Sequence, residues 1–279
     1  MPSPCLALLP GELDESSPAA GLWARLRREA KEAIGRDALL AQPLHRAVLG
    51  HGGFAPALGY RIARKLGDGD VEAGVLAGVI CEAFVQEPEI VAAAAADLRA
   101  VEDRDPACPD LLTPFLYFKG YQALQAYRVS HWLWHQGRMH LARHLHSRVS
   151  ECFGVDIHPA ARLGRGIMLD HSTGIVIGET AVVEDDVSIL QGVTLGGTGK
   201  ECGDRHPKIR RGVLIGAGAK ILGNIEVATG AKVGAGSIVL EDVPPYTTVV
   251  GVPAKRVGRH NSLPALTMDQ SLPRPEFSI

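Results

Sequence analysis

The stretch DIHPAARLGRGIMLDHSTG, residues 156–174, brings Asp156, His158, Asp170 and His171 close together in sequence. An aspartate beside a histidine is what a general base needs. The carboxylate fixes the imidazole tautomer and stabilises the imidazolium that forms, and a neutral imidazole near pH 7 can accept a proton from an alcohol. Asp156 with His171 is the pair that this spacing suggests. Asp and His are also common in solvated turns, so spacing alone leaves both readings open. A second dense stretch is TLGGTGKECGDRHPK, residues 194–208, with four glycines, two lysines, Asp204, Arg205 and His206.

The framework for these residues is a period of six. Ile157, Leu163, Leu169, Ile175, Ala181, Val187 and Val193, then Ile209, Ile215, Ile221, Val227, Val233 and Val239, mark every sixth position. All but Ala181 are Ile, Leu or Val. Neither a helix nor a plain strand gives that period. A hexapeptide repeat does: each unit is a short strand and a turn, and three units make one coil of a parallel β-helix. One apolar side chain per unit should point to the axis, leaving the acids and histidines on the outside. On a coil of eighteen residues, residue 174 should stack near 156, which sets His171 close to Asp156. The step from Val193 to Ile209 breaks the period, so chain must loop out there. Repeat folds carry function on such insertions.

Upstream the pattern is helical. Ser17-Pro18 reads as a cap and first turn, followed by Leu22, Leu26, Ala30 and Ala33 on one face. A helix is expected from Pro88 to about Val101, another from Thr113-Pro114 to Gly137, and one more that stops at Gly154. The expected division is a flexible leader (1–16), an all-α domain (17–153), a hexapeptide domain with an extruded loop (154–258) and a loose, proline-containing tail (259–279).

The chain has 279 residues, 46% of them hydrophobic, and a net charge of −2. It carries no basic footprint for nucleic acid and no run of about 20 apolar residues that would span a membrane. The N-terminus lacks a basic region ahead of its apolar patch, which argues against a signal peptide. Five separated cysteines, without a CxxC pair, fit a reducing cytoplasm. Cys108 and Cys202 read as free thiols. A thin solenoid core favours an oligomer.

DIHPAARLGRGIMLDHSTGIVIGETA, DVSILQGVTLGGTGK, GDRHPKIRRGVLIGAGAKILGNI and GVPAK resemble serine O-acetyltransferases. So do AFVQEPEI, RDPA and TPFLYFKGYQALQAYRVSHWLW in the helical part. The resemblance covers about residues 60–258. It implies an α+β chain whose solenoid is a left-handed parallel β-helix, an exception to the right-handed crossover rule. It implies trimers or dimers of trimers with sites between subunits. It also implies transfer of acetyl from acetyl-CoA to the L-serine hydroxyl, with inhibition by L-cysteine and no metal. His171 matches the base and Asp156 its orienting partner. Asp105 and Asp170 match the acids that hold the ammonium. Arg205 matches the carboxylate ligand, with His206 beside it, and a guanidinium fork suits that task. Gly197, Ala217 and Ala235 match positions along the acetyl-CoA groove, with Lys232 and Lys255 as candidates for its phosphates. The terminal Ile279 resembles a peptide ligand for cysteine synthase, captured through its free carboxylate.

A regulatory scaffold for cysteine synthase is compatible with the enzyme. A sugar or antibiotic acetyltransferase fits poorly with Asp105, Asp170 and Arg205, which suit a zwitterion. A trimer-interface zinc site built from His158, His171 and His206 lacks the expected H-x4-H spacing. His131 and His135 lie four apart on a helix, but the flanking Trp132 and Trp134 favour packing over metal binding.

Overall fold

The computed structural model describes residues 18–199 and 202–272, with side chains from residue 21. The leader and Ile279 lie outside these residues. Helices fill the first part: α1 (Pro18–Arg36), α2 (Ala41–Leu44), α3 (Phe54–Leu66), α4 (Ala73–Gln86), α5 (Glu89–Arg104), α6 (Leu112–Tyr117), α7 (Lys119–His135) and α8 (Met139–Phe153). The single helix expected from Thr113 to Gly137 is broken at Phe118, which is extended and separates α6 from α7. The break lets α7 press onto the solenoid at Gly120. A Cβ there would lie 2.1 Å from the carbonyl oxygen of Leu169, so only glycine fits. At the other end Gly154 takes a left-handed conformation (φ 67°), closes α8 and turns the chain into the first strand.

The solenoid is a three-sided prism. Face I stacks β1 (Val155–Ile157), β4 (Ile175–Ile177), β7 (Thr194–Gly196), β10 (Lys220–Leu222) and β13 (Ile238–Val239). Face II stacks β2 (Arg162–Leu163), β5 (Val182–Val183), β8 (Lys208–Ile209) and β11 (Glu226–Val227). Face III stacks β3 (Met168–Leu169), β6 (Ser188–Ile189), β9 (Leu214–Ile215), β12 (Lys232–Val233), β14 (Thr247–Gly251) and β15 (Ala254–Arg259). All pairings are parallel except β14 with β15, a closing hairpin.

The register corrects the six-residue count. Val176 pairs with Thr194, eighteen residues on, as a regular coil requires. Asp156 pairs instead with Val176, twenty residues on. The first coil therefore holds two extra residues. They fall between β3 and β4, where His171 and Ser172 take successive positive φ values of 51° and 57°. The period of six runs through this insertion unbroken because each face can bury two side chains per strand. Ile175 and Ile177 both point inward around an outward Val176. The larger insertion follows β7: Val182 pairs with Lys208, twenty-six residues on.

Residues 259–272, expected to be loose, are ordered. The chain leaves β15 and runs back over face III through α9 (Pro264–Thr267). Ala265 is buried against Leu190 and Leu214, and Leu263 covers Gly212 and Gly230. These few apolar anchors outweigh the low periodicity that suggested disorder.

A buried ion pair joins helices to prism. Asp97 on α5 is fully buried and accepts bonds from Arg128 and Gln125 on α7 and from the backbone N–H of Ile167. One apolar core runs through both parts. Among the described residues no helix is long and apolar enough to cross a membrane.

Candidate active site

Two charged clusters occupy opposite edges of face I. At the corner where face III passes to face I stand Asp170 and His171. His171 Nε2 is 3.7 Å from Asp170 Oδ1, and its side chain is 74% exposed. Burial raises the Asp170 carboxyl above its ordinary range and nearby Asp105 adds to the shift, while His171 opposes it. Asp105 caps the C-terminus of α5 in extended conformation, and its Oδ1 accepts the N–H of Ala107 at 2.8 Å. Two carboxylates thus converge beside an exposed imidazole held on a strained turn, the kind of strain that collects at functional sites. Cys108 closes the turn after Asp105, its N–H bonded to the Asp105 carbonyl, and its thiol is pushed up to about 11 by burial.

At the other corner, where face I passes to face II, stand Asp156, His158, Glu179, Thr180, Arg205 and His206. Asp156 Oδ1 accepts a bond from His146 Nε2 on α8 at 2.7 Å. That bond holds the carboxyl below its ordinary range. Arg205 donates through Nη2 to Glu179 at 2.7 Å and through Nη1 to the Gly203 carbonyl at 3.0 Å. The hydroxyl of Thr180 accepts the backbone N–H of both Arg205 and His206, pinning the base of the extruded loop. The Thr180 N–H donates to His206 Nδ1 at 3.2 Å, so the ring's free proton sits on Nε2. Burial keeps this imidazole below its ordinary pKa and hence neutral near pH 7. Its ring lies on Gly178, where a Cβ would stand 2.1 Å from it. His158 is likewise depressed by burial and sits edge-on to Trp134.

The expected Asp156–His171 pair does not form within one chain. Asp156 lies on the outward side of β1 and turns to His146, whereas His171 sits at the opposite edge of face I. A flat run of four to five residues separates the two corners by about 15 Å. The two-residue insertion leaves His171 five residues short of the position that stacks on Asp156, where an eighteen-residue coil would leave it three short. The sequence reading missed His146, Glu179 and Thr180. Thr180 lies two residues beyond the point where the coil starting at His158 closes, a signal hidden by counting in sixes.

The residues matched to acetyl-CoA divide the same way. Ala217 and Ala235 follow β9 and β12 and stack at the corner of His171, so tightly that a Cβ on Gly216 would meet Ala235 N at 2.6 Å. Gly197 opens the extruded loop at the corner of Arg205, and a Cβ there would touch Arg205 at 3.3 Å. Lys255 is exposed on β15. Lys232, expected at the acetyl-CoA phosphates, is instead buried, and its ammonium donates to the carbonyls of Asp269 and Ser271 at 3.0 and 2.7 Å. His131 and His135 each direct Nδ1 to a backbone carbonyl, of Pro159 and His131 respectively.

Residues 22–126 match the family model described as serine acetyltransferase, N-terminal. A serine acetyltransferase of Salmonella typhimurium is 57% identical over 250 residues, covering 89% of this chain and 92% of that one. A serine acetyltransferase structure in complex with cysteine superposes with a TM-score of 0.90 at 52% identity, covering 91% of this chain and 99% of that one. A Brucella abortus serine acetyltransferase structure with coenzyme A gives a TM-score of 0.86 at 51% identity, over 89% of this chain and 98% of that one. With identity of this order along almost the whole chain, and a solenoid whose corners hold carboxylates, imidazoles and a guanidinium, the chain belongs to the serine acetyltransferase family.

Proposed function

We propose that the chain acetylates L-serine from acetyl-CoA in a site shared by two copies, each contributing one corner of face I. The observation that supports this is the division of charge. An amino acid needs an anionic pocket for its ammonium and a cation for its carboxylate. Asp105 and Asp170 are at one corner and Arg205 is at the other. A head-to-tail contact of unlike corners closes into a ring, and three copies round an axis, or two such rings, suit a three-sided prism.

Within that site Asp105 and Asp170 receive the ammonium and Arg205 the carboxylate. His171 takes the proton from the serine hydroxyl as its oxygen attacks the thioester carbon, and Asp156 of the adjoining copy steadies the imidazolium. When the C–S bond breaks, the leaving thiolate takes a proton from that imidazolium, so O-acetylserine and CoA form with His171 neutral again. His206, neutral with its proton on Nε2, is placed to donate to the developing oxyanion. Gly197, Ala217, Ala235 and Lys255 receive acetyl-CoA. L-cysteine carries the same ammonium and carboxylate as serine and competes for their binding groups.

Mixed oligomers test the shared site. His171→Ala and Arg205→Ala chains, each inactive alone, are co-expressed and purified as hybrids through two tags. Each mixed ring of three has one intact site among its three, so the hybrids should recover about a third of full activity. Hybrids that assemble and stay inactive would sink the shared site.

The C-terminal Ile279, with Ser278 and Phe277 before it, is the proposed ligand for cysteine synthase. Its free carboxylate suits capture by a backbone nest. Deleting Ile279 should abolish co-purification with cysteine synthase while acetyl transfer continues unchanged. A complex that survives the deletion removes the tail from this role.

A further inference from the structure

We infer that His146 is a positioning residue for Asp156, and through it for the imidazole that takes the serine proton. The inference rests on the reading that Asp156 backs His171 across the shared site. Local chain geometry makes the contact. Gly154 reverses the chain at the end of α8, so that helix's C-terminal half lies beside β1 and His146 Nε2 reaches Asp156 Oδ1 at 2.7 Å. Among the described residues this is the single hydrogen bond to that carboxylate. Asp156 is on the outward side of a strand with its side chain 47% exposed, where nothing else would hold its rotamer. His146 is itself confined, at 21% exposure, with the ring of His158 at 6.2 Å and Trp134 packed behind His158. One carboxylate oxygen is thereby fixed, and the other is left for the imidazole supplied by the adjoining copy.

Two variants test the hold on Asp156. His146→Gln keeps an N–H donor and should hold kcat within about twofold. His146→Ala removes the donor. It should lower kcat about tenfold with KM for acetyl-CoA unchanged, and glutamine in its place should rescue kcat. Asp156→Asn is the reference. If it is as active as the unaltered enzyme, the role given to Asp156 fails. If it is inactive while His146→Ala keeps normal kcat, the role given to His146 fails. A purely structural role would lower the melting temperature and leave kcat of the assembled enzyme in place, which would also overturn the role given to His146.

Discussion

His171→Ala is expected to lower kcat about 10²–10⁴-fold, the usual worth of a positioned base, with KM for acetyl-CoA and oligomer size unchanged. The side chain is mostly exposed and its nearest charged partner, Asp170, is at 3.7 Å, so removing it opens no cavity and strands no buried group. Its backbone sits at φ 51°, where alanine is no better placed than histidine, so the turn gains nothing from the change. The effect should therefore be chemical. Thiol release from acetyl-CoA with L-serine, measured beside size-exclusion chromatography, checks this. Near-normal turnover in a correctly assembled His171→Ala protein would remove His171 from the role of base.

Asp97→Ala should cost about 3–5 kcal/mol of stability, the usual loss when one partner of a buried ion pair is removed. Asp97 Oδ2 accepts from Arg128 Nη2 at 2.7 Å and from Gln125 at 3.0 Å, and Oδ1 accepts the Ile167 N–H at 2.9 Å. Arg128 Nη2 donates onward to the Gly164 carbonyl at 2.7 Å. Alanine leaves a buried cation and an unpaired backbone donor where helices meet prism. The loss appears in the chemical denaturation midpoint, and Asp97→Asn, which keeps an acceptor, should lose less. An unmoved midpoint would show that this network contributes little to the junction.

Much of this molecule is visible in its sequence, and what is hidden is hidden for definite reasons. Periodicity finds the prism because the inward positions must be aliphatic, and a sixteen-residue gap exposes the large insertion. The small insertion at His171 leaves no trace. Ile175 and Ile177 are both inward-facing aliphatics, so a count in sixes lands on one or the other and never fails. That error brought Asp156 and His171 together on one chain. The candidate residues themselves were found by type, since acids, arginine and histidine stand out against repeats of small apolar residues. Their partners were not. His146 lies on a helix ten positions before Asp156, and only the turn at Gly154 brings them together. The tail was misread because its anchorage rests on scattered contacts, Leu263 and Ala265 on the prism and Lys232 on the tail carbonyls, which leave no periodic pattern in the tail itself.

That tail alters how the solenoid can come apart. A stack in which each coil touches only its neighbours should fray from its free end, one coil at a time. Here the chain leaves the last coil and is fastened to earlier ones, at Leu190 and Leu214 through Ala265 and at Lys232 through Asp269 and Ser271. The terminal coil cannot peel away without first stripping this strap from the coils beneath it. Small separate openings are thereby merged into one larger one, and a stack built to unravel in steps behaves as a single cooperative unit.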